Sequence, residues 1–214
     1  MKDIPIFTTE FGVASLILRE VPYQQKAYIR LHSALEPVKL LQECISFCRM
    51  VGAEAVYAAG EEVPEDYPMY TDILQMAASR DSLGDTDAAL WPVQEHTVAE
   101  YRRIYNEKVN HIPGAAWMTA SEEKELVSTG EGYFIHRGDT LLGIGRVSGE
   151  EIRFLCAVQP GAGKDVVRAL NHGLTGDRVL VEVASANLKA VGLYQQLGFV
   201  QLRMVCRWYQ VFPK

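Results

Sequence analysis

The 214-residue chain has no long hydrophobic run: no stretch approaches the roughly 18 uninterrupted apolar residues that a membrane span requires. Its first eleven residues carry Lys2 together with Asp3 and Glu10, and their apolar side chains are too scattered for the h-region of a signal peptide. No membrane partner and a cytoplasmic location are the expectations. Cysteine is scarce as well. Cys44, Cys48, Cys156 and Cys206 show neither CxxC spacing nor nearby paired histidines, so no metal site is expected. Cys44 and Cys48 fall on the apolar face of an expected helix, where free thiols behave as small buried hydrophobes. Positive charge is also limited: 21 Lys and Arg stand against 27 Asp and Glu, and no basic cluster interrupts the net charge of -6. A surface of that sign repels phosphate backbones, which argues against nucleic acid as a partner.

What is present suits a folded protein with a sizeable core, at 48% hydrophobic and 22% charged residues. The length lies between one domain and two. The polar, apolar-poor segment Asp81 to Asp87 reads as a linker, giving a first unit over 1–84 and a second over 85–214.

In the first unit, Gly12 to Leu18 and Ala27 to His32 read as a hairpin, with a turn around Pro22 to Gln25. Pro37 opens a helix whose face is Val38, Leu41, Cys44, Ile45, Cys48 and Val51, and Gly52 stops it. Glu54 to Ala58 is expected as a strand and Tyr67 to Ala78 as a helix. In the second, Leu90 to Val93 is a short strand, Thr97 to Asn110 a helix ending before the His111-Ile-Pro113-Gly114 break, and Ser121 to Gly130 another helix. Three strands follow as a meander: Tyr133 to Arg137, Thr140 to Ser148 and Ile152 to Val158. A helix from about Lys164, the strand Val179 to Val183, the helix Leu188 to Leu197 and a long strand from Phe199 complete an α/β arrangement, a mixed sheet with helices on its faces.

Two segments carry chemistry. Val158-Gln-Pro160-Gly161-Ala162-Gly163-Lys164 leaves a strand and enters a helix. Glycines let a backbone approach a ligand closely, and free N–H groups at a helix start attract anions; an ordinary strand-to-helix turn uses the same residues for geometry alone. A nucleotide P-loop is excluded, because Val158 occupies its first glycine position and Asp165 replaces its hydroxyl. A dinucleotide fingerprint fails at Val166. The second segment runs Val181-Glu-Val-Ala-Ser-Ala-Asn187-x2-Ala190-x2-Leu193-Tyr194-x3-Gly198-Phe199. By themselves, Asn187 reads as a helix N-cap and Tyr194 as a core aromatic.

Taken with the glycine turn upstream, this second string resembles the signature of the GNAT superfamily of N-acetyltransferases, over about residues 88 to 214. The first half resembles a GNAT-like domain that has lost its signature, since His32-Ser-Ala-Leu-Glu-Pro37 has no glycine where a phosphate turn belongs. The fold implied is therefore GNAT-like, a tandem of two such halves. The resemblance implies acetyl-CoA as cosubstrate, held between strands ending at Val158 and Val183. Backbone groups of Cys156, Ala157 and Val158 would pair with the pantetheine arm, the amides of Gly161, Ala162, Gly163 and Lys164 would hold the pyrophosphate, and Asn187 would touch the cofactor from the other arm. Tyr194 would protonate the departing thiolate, and an N–H near Ala157 or Val158 would stabilise the oxyanion. The base stays open among Glu150, Glu151 and His136, with Glu151 carried forward as the catalytic candidate. The acceptor would be a small-molecule or protein amine, and a homodimer is among the expected assemblies. The segment between turn and asparagine is shorter than in family members. A non-catalytic acyl-CoA sensor and a purely structural tandem fold are the competing readings.

Overall fold

A computed structural model describes residues 2–109 and 116–212. The expected break at His111 to Gly114 lies outside them. Contacts divide the chain into one unit of 1–73 with 204–214, and another of 74–203. The boundary expected at 84/85 is thus displaced, and the last strand returns to the first unit. The supposed linker is structured for a physical reason: Arg80–Leu83 forms a 3-10 turn, Leu83 is buried, and the Leu83 carbonyl accepts a 2.8 Å hydrogen bond from Arg168. Arg80 donates to the Asn171 side chain at 3.0 Å and to the Asn171 carbonyl at 2.8 Å.

The first unit contains β1 (Ile4–Thr9), β2 (Gly12–Ile17), the short α1 (Val21–Gln24), β3 (Lys26–Ala34), α2 (Pro37–Met50) and β4 (Ala55–Ala59). The final strand β11 (Val200–Phe212) adds its C-terminal residues beside β4, giving the order β1-β2-β3-β4-β11. Leu40, Leu41, Cys44 and Cys48 on α2 bury one face of these strands against Ala14, Leu16, Ile29 and Val56. The helix face read from the sequence is correct at Leu41, Cys44 and Cys48, whereas Val38 is half-exposed. The other face carries Tyr28, Tyr57 and Trp208. Strands β3 and β4 run parallel through five consecutive pairs, from Lys26 with Ala55 to Arg30 with Ala59.

Of residues 67–78, expected to be helical, 69–78 instead lie in β5 (Met69–Ser79). Leu74, Met76 and Ala78 alternate into a core there, so sheet pairing overrides the helix propensity of Leu, Met, Gln and Ala.

The second unit continues with β6 (Ala89–Pro92), α3 (Val98–Val109), α4 (Ala120–Thr129), β7 (Gly132–Arg137), β8 (Thr140–Ser148), β9 (Glu151–Ala157), α5 (Gly163–Asn171), β10 (Arg178–Ala184) and α6 (Leu188–Gln196). Its strand order is β5-β10-β9-β8-β7-β6, with the expected meander forming β7 to β9. Helices α3 and α4 cover one face through Tyr101, Ile104 and Leu126. They are joined by Asn106, whose buried amide donates to the Met118 carbonyl at 3.0 Å and accepts from its N–H at 2.9 Å. Helices α5 and α6 cover the opposite face through Val166, Leu170, Tyr194 and Leu197. The Gly143-Ile144-Gly145 run of β8 permits this: a Cβ at 145 would collide with Leu170, and one at 143 would lie 2.7 Å from Val166. Among the described residues no helix is long and apolar enough to cross a membrane.

Candidate functional site

The two parallel strands of the second unit part early. β9 and β10 are in register only at Glu151 with Leu180 and Ile152 with Val181, although they extend to Ala157 and Ala184. The parting has a local cause in β9. Its pairing with β8 shifts between Arg146–Phe154 and Val147–Ile152, which leaves Arg153 as an extra, bulged residue. A bulge bends its strand and re-aims the side chains that follow. Ile152 accordingly joins the core under α5 and α6, while Phe154 and Cys156 join the cluster under α3 and α4. A gap therefore opens from Arg153 towards the C-terminal ends of both strands, over about five residues or roughly 17 Å of extended chain.

The β9 edge facing that gap carries unpaired backbone groups. Val158 N–H donates to the Leu142 carbonyl at 2.8 Å. By the alternation of an antiparallel ladder, the N–H groups of Leu155 and Ala157 then point away from β8, into the gap. Of the two positions the resemblance implied, the Val158 N–H is thus occupied, and the neighbouring Ala157 amide is the one that faces the gap. Cys156 is buried, and burial pushes its thiol up to about 11. Its side chain lies in the α3–α4 cluster, so its backbone alone borders the gap.

At the open end β9 passes into the glycine turn. Gly161 has φ +82 and is exposed, and a Cβ there would meet nothing within 4 Å. Ala162 is the N-cap of α5, its N–H donating to the Gln159 carbonyl at 3.2 Å. The next amides, of Gly163, Lys164 and Asp165, lie in the first helical turn and have no intrahelical acceptor; no side chain caps them. Lys164 is exposed beside them. Asp165 adds a negative charge to this turn, compensated by Arg137 at 3.1 Å. Burial tends to lower the Arg137 pKa, but hydrogen bonds from its guanidinium to Asp87, the largest influence, and to Asp165 hold it above its ordinary value. Open amides, a helix N-terminus and a lysine make a cradle that fits a diphosphate.

On the second arm, Asn187 is the N-cap of α6 and accepts from the Ala190 N–H at 3.2 Å. Tyr194 is 6% exposed, its ring 5.3 Å from Phe199. Burial raises its hydroxyl pKa well above the ordinary value. Both residues thus have the structural roles that the sequence allows. Glu151 is not brought to the turn: it sits at the closed end of the gap, 3.7 Å from Arg153 Nε. His136 lies on β7, its ring 5.1 Å from Trp91, beside a pocket of about 720 Å³ at the β6–β7 edge. That pocket is lined by residues of β6, β7, β8 and α3 and by none of β9 or β10, and is separate from the gap. Glu182 of β10 was passed over in the sequence; its position between Val181 and Val183 marks it as facing away from their core.

No family model matches the sequence, and no curated protein does. Solved structures do. A protein of unknown function from Staphylococcus epidermidis ATCC 12228 superposes with a TM-score of 0.59 at 10% identity, over 95% of this chain and 91% of its own. A GCN5-related N-acetyltransferase from Anabaena variabilis gives 0.62 at 13% identity, over 94% of this chain and 59% of its own, so this chain spans little more than half of it. A tandem GNAT protein from the clavulanic acid biosynthesis pathway gives 0.52 at 11% identity, over 95% and 80%.

Proposed function

We propose, from the premise that the chain has the GNAT fold, that it binds acetyl-CoA in the gap between β9 and β10 and transfers the acetyl group to a small-molecule or protein amine. The observation that carries this reading is the parting of β9 and β10 after two pairs, directly before a helix N-terminus with open amides. The turn holds the diphosphate, and the Leu155 and Ala157 amides pair with the pantetheine arm laid along β9, placing the thioester near the Arg153 bulge. The backbone there polarises the thioester carbonyl, since preorganised N–H donors stabilise a developing oxyanion more than they do the ground state. Tyr194 gives a proton to the departing sulfur. Among the described residues no group of metal-ligating side chains occurs.

The test pairs calorimetry with acetyl-CoA and a thiol-release assay over a panel of primary amines. Binding with amine-dependent thiol release supports the transferase. Binding without release from any amine supports an acyl-CoA sensor, and absence of binding at millimolar acetyl-CoA overturns both.

A further inference from the structure

Residues 80–86 run antiparallel to α5 as a strap along one side of it. Arg80 bonds Asn171 near the C-terminal end of the helix, the Leu83 carbonyl accepts from Arg168 at 2.8 Å, and the Thr86 hydroxyl donates to Asp165 at 3.4 Å. Asp165, Arg168 and Asn171 follow one another at i, i+3 spacing, so the strap tracks a single side of the helix turn by turn. The next residue, Asp87, accepts from Arg137 Nε at 2.7 Å, while Arg137 Nη2 reaches Asp165 at 3.1 Å. One guanidinium at the end of β7 thus spans two carboxylates, one following the strap and one in the first turn of α5. Apart from Arg137, the distant Thr86 hydroxyl is the one side-chain partner of Asp165 among the described residues. Asp165 also carries one of the open amides of the cradle, so its charge stands beside the place where a diphosphate would sit.

We propose that Arg137 sets the affinity of the cradle for a diphosphate by neutralising Asp165, and that Asp87 aims it there. The inference rests on the acetyl-CoA reading above. Asp165 favours the positive end of the α5 dipole and so supports the free helix start. The same carboxylate would repel an arriving anion unless a cation cancels it. Arginine suits the task because its fork bonds two carboxylates at once, and Nε and Nη2 are both committed to them. Arg137 is therefore a positioning residue that acts through Asp165 rather than by touching the ligand.

Calorimetry with coenzyme A on four proteins tests this. Arg137→Gln should bind about tenfold or more weakly than the unaltered protein, because an uncompensated carboxylate then faces the diphosphate. Its melting temperature should change little, since the lost pairs are exposed ones. Arg137→Gln combined with Asp165→Asn should regain most of the lost affinity, and Arg137→Lys, which keeps the charge, should retain most of it. Unchanged affinity in Arg137→Gln would overturn the proposal. So would a double variant as weak as Arg137→Gln, which would mean that Arg137 touches the phosphates or holds the fold, or an Arg137→Lys variant as weak as Arg137→Gln. Failure of the unaltered protein to bind coenzyme A would instead remove the acetyl-CoA reading and this inference with it.

Discussion

Val181 of β10 faces Ile152 of β9 in the second and last pair that these parallel strands make, whereas β3 and β4 remain paired through Arg30 and Ala59, their fifth. The contrast separates two units with similar element order. A continuous ladder satisfies its own backbone groups and leaves no edge for an extended ligand, while a parted one presents an edge on each side. The first unit also enters its helix through Glu36 and Pro37, and proline supplies no N–H to an anion.

One acetyl-CoA per chain is therefore expected, bound by residues of 74–203. Calorimetric stoichiometry checks this, and a value of two would show that the ladder between β3 and β4 opens. The ligand should also raise stability by about 2.7 kcal/mol at a hundredfold excess over Kd.

The turn before α5 yields a second expectation. Gly163 does not require a left-handed backbone; that conformation belongs to Gly161, at φ +82. The contact a Cβ would make at 163 is with Leu193 Cδ2 at 3.0 Å, the end of a flexible side chain. Gly163→Ala should consequently fold and bind acetyl-CoA with little change. Gly163→Asp should weaken binding at least tenfold, because two like charges about 4 Å apart repel by about 4 kcal/mol near a protein surface, and 1.4 kcal/mol already corresponds to a factor of ten. Equal affinities for the two variants would mean that no anion sits there.

Local patterns were legible where one element fixes its own shape. Pro37 and Gly52 bracket α2, Asn187 caps α6, and the Arg137-Gly-Asp139 and Ser148-Gly-Glu150 turns set the meander. Relations between strands were not legible. Nothing around Arg153 marks a bulge, which exists only by comparison with Val147 and Arg146 of β8. The alternation Val181-Glu182-Val183 reveals which way Glu182 points, but not that the ladder ends beside it. β5 was misread because its residues favour a helix by propensity and a strand only by alternation into the core. The polar run Asp81 to Asp87 concealed the one buried side chain, Leu83, that ties it to the second unit.

Glu131 provides a pH-dependent expectation. Burial alone would raise its carboxyl pKa, yet hydrogen bonds from Ser148 and from Arg146, the latter at 2.8 Å, bring it below its ordinary value. A carboxylate depressed in the folded state contributes stability above its unfolded pKa and loses it as pH falls through the folded one. Glu131→Gln should thus lower stability by about 1 kcal/mol at neutral pH, and the deficit should shrink as the pH falls below the ordinary carboxylate range. Thermal melts of both proteins across this range check it; a constant difference would assign the loss to packing.

Tyr194 offers the sharpest test of the chemistry. It shares a helix face with Ala190 and Leu197, and all three turn towards the core beside β10. Because burial raises its pKa, the hydroxyl stays protonated across any ordinary assay range, so it can donate and should add no basic limb to the pH profile of turnover. Tyr194→Phe keeps the ring and its contact with Phe199, removing only the donor. Melting temperature and acetyl-CoA affinity should therefore hold, while kcat falls by about tenfold or more, the signature of an interaction made in the transition state alone. If kcat is untouched with affinity and stability intact, the hydroxyl serves packing and water protonates the thiolate; if affinity falls instead, the hydroxyl binds the ground state.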